Sequence, residues 1–162
     1  MVICYSIMIS AHLKAFKALS DETRVRILLL VSGRELCVCQ LMAVLGVSQP
    51  LISRNLAVLK TAGFLTSRRE KKLMFYKLRP DLAGAGLGFA KPILKSLGNS
   101  DRAAEDRRGL EACREFQKIT GRCDMKSFRE FMRKRKRLTA QAPKGGSPKA
   151  GQSANAPTEG AI

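Results

Sequence analysis

The chain has one histidine, few acids and no long apolar run, and each shortage closes off a class of function. Without about 18 consecutive apolar residues, no transmembrane helix is indicated. The opening MVICYSIMIS is apolar but short, has no basic leader and runs directly into a helical pattern. It does not read as a signal peptide, and Met8 is an alternative start that would remove Cys4. The single histidine, His12, is expected at the surface. No Cys–His pair with an orienting partner, no phosphate loop and no paired carboxylates in a pocket-forming context are present, so catalysis is not expected. No internal repeat is visible.

What is abundant is positive charge: 30 lysines and arginines stand against 13 acids, a formal charge of +17 over 162 residues. Such an excess points to a polyanion, either nucleic acid or an acidic membrane surface. It is concentrated in two blocks. Arg54 to Arg79 holds eight basic residues and one acidic, and Arg122 to Arg137 holds eight and two. Five cysteines, an odd number, without export features suggest reduced thiols in a cytoplasm.

Along the chain, Leu13, Phe16 and Leu19 begin an amphipathic helix that stops at Ser20–Asp21. Ser20 is the expected N-cap of the next helix, with Asp21 and Glu22 at its positive end. Val25, Leu28 and Leu29 form its buried stripe, and Gly33 ends it. A third helix is expected from about Leu36 to Gly46, with Val38, Leu41 and Leu45 on one face. Only Gly46 and Val47 separate it from Ser48, the N-cap candidate of a fourth helix that carries Pro50 in its first turn and buries Ile52, Leu56 and Leu59. Two short helices joined by a tight glycine turn make a helix-turn-helix.

Two strands follow, Leu65 to Arg69 and Leu73 to Leu78. Their tip, Glu70-Lys71-Lys72, lacks the Gly or Asn of a tight hairpin and is expected to be loose. Gly84, Gly86, Gly88 and Pro92 oppose a regular helix, although Phe89, Ile93 and Leu97 keep helical spacing. Ser100 or Asp101 caps a further helix with Leu110, Cys113 and Phe116 as its thin apolar stripe. From Ala140 the composition is that of a disordered tail.

The segments LKAFKALSDETRVRIL, ELCVCQL, VSQPLISRNLAVLKTAGFL and RREKKLMFYKL, within Leu13 to Pro80, together resemble the arsenic-responsive repressors of the ArsR/SmtB family. The resemblance implies a mainly α protein with a small β-hairpin, a dimeric winged helix-turn-helix. It also implies a cytoplasmic repressor that binds double-stranded operator DNA and leaves it when a metalloid or metal ion binds. The expected organisation is a DNA-binding and dimerisation domain over 10–98, a helical extension over 99–139 with a basic end, and a tail over 140–162. Dimer contacts are open between the N-terminal helix, the glycine-rich segment and the later helix.

Cys37 and Cys39 are the expected thiolate ligands. On a regular helix residues i and i+2 point about 200° apart, so both grip one ion only if the first turn opens. A helix N-terminus should also depress their pKa values and favour the thiolate that binds soft ions. As(III) favours three thiolates. The arsenic branch commonly continues ELCVCDLC, but Met42 occupies that third position here. Cys113 is the expected third ligand, with Cys123, Cys4 and Met42 as alternatives. Cd(II) or Pb(II) is the alternative inducer, since Cys4 on an N-terminal arm resembles the cadmium- and lead-sensing branch. Zn(II) or Ni(II) sensing is disfavoured by the scarcity of histidine.

On the DNA side, Gln49, Ser53 and Arg54 are expected at base edges, Gln toward adenine and Arg toward guanine. Ser48, Asn55 and Lys60 are expected at phosphates, and Arg68, Arg69, Lys71 and Lys72 along the backbone or minor groove. Two other readings remain: a redox switch using the same cysteines, and a constitutive basic DNA-binding protein with no sensing role.

Overall fold

The computed structural model describes residues 2–84, 86–121 and 125–141. Seven helices and three short strands are formed there: α1 (Val2–Leu19), α2 (Glu22–Ser32), β1 (Leu36–Cys37), α3 (Val38–Leu45), α4 (Gln49–Thr61), β2 (Leu65–Glu70), β3 (Leu73–Leu78), α5 (Ala90–Leu97), α6 (Asp101–Thr120) and α7 (Met125–Gln141). None of these helices is by itself long and apolar enough to cross a membrane.

The principal core gathers Ile27, Leu28 and Val31 of α2, Leu41 and Leu45 of α3, Ile52, Leu56 and Leu59 of α4, and Phe64. Helices α3 and α4 meet at Gly46, whose left-handed φ of +70° ends α3 while its N–H closes onto the Met42 carbonyl. Ser48 then starts α4, with Pro50 in the first turn. The sheet is antiparallel in the order β1-β3-β2. Its hairpin follows the helix-turn-helix as a wing, so the architecture is a winged helix, mainly α with a small sheet.

Three local expectations are corrected. Asp21, not Ser20, caps α2: its carboxylate accepts from the Arg24 backbone N–H at 2.9 Å, while Ser20 Oγ donates to the Lys17 carbonyl. The charged carboxylate is the better acceptor at a positive helix end. The hairpin tip is not loose, because Glu70 pairs with Leu73 and only Lys71 and Lys72 make the turn, Lys71 adopting φ +53°. In α1, Ala15 and Ala18 are the fully buried side chains while Leu13 and Phe16 are more than half exposed. The larger apolar residues therefore lie away from this chain's own core.

The C-terminal extension packs onto the domain. Leu110 of α6 joins the principal core. Arg26 of α2 donates two hydrogen bonds, 2.8 and 2.7 Å, to the buried carboxylate of Asp106. A smaller cluster of Ala43, Cys113 and Phe131, with Phe116, Phe128 and Met132 around it, ties α3, α6 and α7 together.

Candidate functional site

Cys37 is not helical. Leu36 and Cys37 form β1, pairing with Tyr76 and Phe75 of β3, and Cys37 is the extended N-cap of α3. The 200° separation expected of two helical cysteines therefore does not apply. The missed signal was the spacing Cys-x-x-Gln, a capping box with sulfur in the place of a hydroxyl oxygen. The Cys37 backbone N–H donates to Gln40 Oε1 at 3.0 Å. Gln40 Nε2 in turn donates to Gln117 Oε1 at 2.9 Å, tying the start of α3 to α6.

Cys37, Cys39 and Cys113 are all buried thiols. Cys39 and Cys113 line one cavity of about 10 Å³ with Ala43, Phe116, Gln117, Ser127, Phe128 and Phe131, room for about one water. Burial, and secondarily the neighbouring Cys37, pushes the Cys113 thiol up to about 11, so it is neutral at ordinary pH. Among the described residues no group of three His, Cys, Asp or Glu side chains stands ready to hold a metal ion. Met42, one of the alternative donors, packs in the principal core, apart from this cluster. Cys123 and the Cys4 side chain lie outside the described residues, as does the tail beyond Gln141.

On the helix-turn-helix, Ser48 at the N-cap of α4 and Gln49, Ser53, Arg54 and Lys60 along it are exposed. Asn55 is not: only 4 % of it is accessible, so it faces inward between Ile52 and Leu56 and is corrected from the exposed set. Ser48 makes no capping hydrogen bond. Lys60 Nζ donates to Ser67 Oγ at 2.9 Å, joining α4 to the wing. Arg69, Lys71 and Lys72 are exposed at the wing tip. Arg68 is held differently from the other wing cations. It donates to Glu35 at 2.7 Å and Glu70 at 2.6 Å while its guanidinium lies 5.1 Å from the centre of the Phe75 ring. Glu35 immediately precedes β1, and Phe75 is the register partner of Cys37. The thiol strand and the wing are therefore in direct mechanical contact.

An exposed helix-turn-helix with a basic wing defines a DNA-binding protein of the winged-helix class. Residues 21–67 match the family described as bacterial regulatory protein, arsR family. The chain is 53 % identical over 68 residues to the arsenic resistance transcriptional regulator ArsR2 of Pseudomonas putida, covering 41 % of this chain and 59 % of that one. It is 48 % identical over 71 residues to the arsenical resistance operon repressor of Escherichia coli, covering 43 % and 61 %. With the cadmium resistance transcriptional regulatory protein CadC of Listeria innocua it shares 34 % over 84 residues, covering 49 % and 71 %. The match thus spans less than two thirds of the two arsenic regulators. The chain belongs to the arsR family of bacterial transcriptional regulators, and its class is that of regulators rather than enzymes.

Proposed function

We propose that the protein is a homodimeric repressor that leaves its operator when As(III) binds Cys37, Cys39 and Cys113. The observation that carries this reading is the burial of Cys113, from α6, against α3 beside the two earlier cysteines. The pairing of α4 with a basic wing supports operator binding. Gln49, Ser53 and Arg54 address base edges, and Ser48, Lys60, Arg69, Lys71 and Lys72 address the backbone. Arg68 is available to DNA only by leaving Glu35 and Glu70.

The chemistry of the pocket favours As(III) over Cd(II) or Pb(II). Arsenous acid, As(OH)3, takes three thiols and releases three waters, so the thiol protons leave with the hydroxides and the product is neutral. A divalent cation on three thiolates must expel three protons and leave a net negative complex. In an apolar pocket whose Cys113 is held as a neutral thiol, the second course is penalised by burial. Once bound, the ion draws on β1 at Cys37, and β1 moves β3 and the Glu35–Arg68 contact with it. Loss of wing position, rather than unwinding of α3, lowers operator affinity.

Dimerisation is supported by an apolar face left exposed among the described residues. Ile9, Leu13 and Phe16 of α1 and Ile93 and Leu97 of α5 are all at least 40 % exposed, and Phe16 stacks on Phe89 at the foot of α5 with ring centres 4.9 Å apart.

The test is titration of the reduced, operator-bound protein with As(III), Cd(II), Zn(II) and peroxide. Release by As(III) near one ion per chain, lost in Cys37→Ser, Cys39→Ser and Cys113→Ser with operator binding retained, is expected. Normal release by all three variants would sink the site, and release by peroxide alone would favour the redox reading.

A further inference from the structure

Where the end of α2 meets α5 and α6 there is a cavity of about 600 Å³, a size common among small-molecule sites. Its floor is apolar: Leu30, Leu94 and Leu110 are buried, and Leu29 lies beside them. Its rim is basic, with Arg34, Lys95, Arg107 and Arg108 all exposed to solvent. Glu111 is the one carboxylate among the described residues of the wall, and it is divided between Arg34 at 3.7 Å and Arg114 at 3.4 Å. Arg107 donates to the Gly98 carbonyl at 2.6 Å, which fixes its guanidinium without neutralising it. Lys95 and Arg108 form no ion pair with any described residue. The cavity shares no lining residue with the one that holds Cys39 and Cys113, and neither Ile93 nor Leu97 of the exposed α5 face lines it.

We propose that this cavity is a ligand site separate from the thiols, and that it takes a small organic anion with an apolar body and one carboxylate or phosphate head. The body lies on the four leucines, and the head sits between Lys95 and Arg108 with Arg107 beside it. Neither half of the site selects such a ligand alone. An inorganic anion gains the rim but has nothing to place on the floor, and a neutral apolar molecule gains only the floor. Guanidinium groups present paired N–H donors that match the oxygens of a carboxylate or phosphate. At an exposed rim the head also keeps part of its water, so the cost of burying a charge is avoided. The bound anion relieves the mutual repulsion of four cations that share one divided carboxylate, and it ties α6 to α2 and α5.

The test uses the full chain, reduced and free of DNA, titrated by calorimetry with naphthoate, naphthyl phosphate, the uncharged naphthamide and inorganic phosphate. One naphthoate or naphthyl phosphate should bind per chain, about tenfold more tightly than naphthamide. The tighter of the two names the head. Lys95→Gln combined with Arg108→Gln, at exposed positions without ion pairs, should remove the preference for the anion over the amide. Lys126→Gln combined with Arg129→Gln removes the same charge from exposed positions on α7 and should leave the preference intact. Cys113→Ser should bind the probes as the parent does.

Equal affinity for anion and amide overturns the proposal, and so does a preference that both double variants lower alike, since net charge alone then accounts for it. Inorganic phosphate competing as well as the naphthyl anions would deny the leucine floor any part. No binding of any probe overturns the site outright. None of these results bears on the thiols, whose reading stands or falls with the arsenite titration.

Discussion

On α4 and the wing, cations stand in solvent at positions spread along one continuous stretch of chain. Across α3, the thiols are buried and drawn from segments far apart in sequence, under a roof of Phe116, Phe128 and Phe131, and Cys113 is held neutral by that burial. The first surface works by exposure: long-range attraction needs only charge on the outside. The proposed role of the second rests on exclusion, since a neutral thiol held away from water favours a ligand that arrives and departs without net charge. The two share β1, two residues long, which carries Cys37 on one side of the arrangement and pairs with the wing strand on the other. The proposed sensing function needs both environments and a short path between them.

The largest expected effect breaks the roof rather than the thiols. Asp106→Ala leaves Arg26 partly buried without the carboxylate that takes both its hydrogen bonds, at 2.8 and 2.7 Å. Removing one partner of such a pair costs about 3–5 kcal/mol. Because Asp106 fixes α6 to α2, denaturant unfolding should fall by that order, and Cys113 should react faster with a thiol reagent even in native buffer. A variant as stable as the parent, with Cys113 still shielded, would mean that α6 is held by its apolar face alone.

A change on the other side should leave the roof untouched. Arg54→Ala removes an exposed cation from the centre of α4. Operator affinity should drop by about 1–3 kcal/mol with relaxed sequence preference. Arsenic affinity of the DNA-free protein should not change. Lys72→Ala, at the wing tip, should weaken binding to all sequences alike and make it less sensitive to salt. Equal effects of the two on sequence preference would deny α4 its reading role.

The contrast also explains what could be read in advance. The helix-turn-helix and its basic wing were legible because their elements are local: Gly46, Ser48 and Pro50 punctuate two helices, and the charges follow directly. Asn55 was misjudged because α4 turns it inward between Ile52 and Leu56, and polarity alone does not give the facing of a helix. At the thiol site the cysteines were recognisable, but β1 was not. A two-residue strand has no periodicity, and it exists only because β3 offers Tyr76 and Phe75 as partners. The meeting of Cys113 with α3 and the Gln40–Gln117 tie are long-range facts of packing, for which the sequence carried only a thin stripe of Leu110, Cys113 and Phe116.

The raised pKa of the Cys113 thiol predicts a pH dependence with a definite sign. Burial raises the Cys113 pKa to about 11, above that of an unfolded thiol near 8.5. Between those values the unfolded chain has lost its proton and the folded one has kept it. Stability is therefore unaffected below about pH 8 and falls as pH rises toward 11. In Cys113→Ser this part of the alkaline decline should vanish in urea unfolding curves. An identical decline in parent and variant would place the alkaline sensitivity elsewhere.

The smallest effect belongs to the wing, and it tests the comparison at its joint. Lys71 holds φ +53° in a two-residue turn, a conformation that crowds a Cβ and that glycine adopts freely. Lys71→Gly should relieve that strain and stabilise the hairpin, by about 1 kcal/mol at most, since glycine also gains entropy in the unfolded chain. It removes one cation as well, so operator binding should weaken with a reduced salt dependence. The useful reading is the arsenic response. If the ion acts through β1 and β3 on the position of the wing, the relaxed hairpin should still transmit the movement, and release should occur at the same ion concentration relative to the new operator affinity. Should Lys71→Gly uncouple release while arsenic still binds, the signal would run through the turn rather than through the Glu35–Arg68 contact at the base of the sheet.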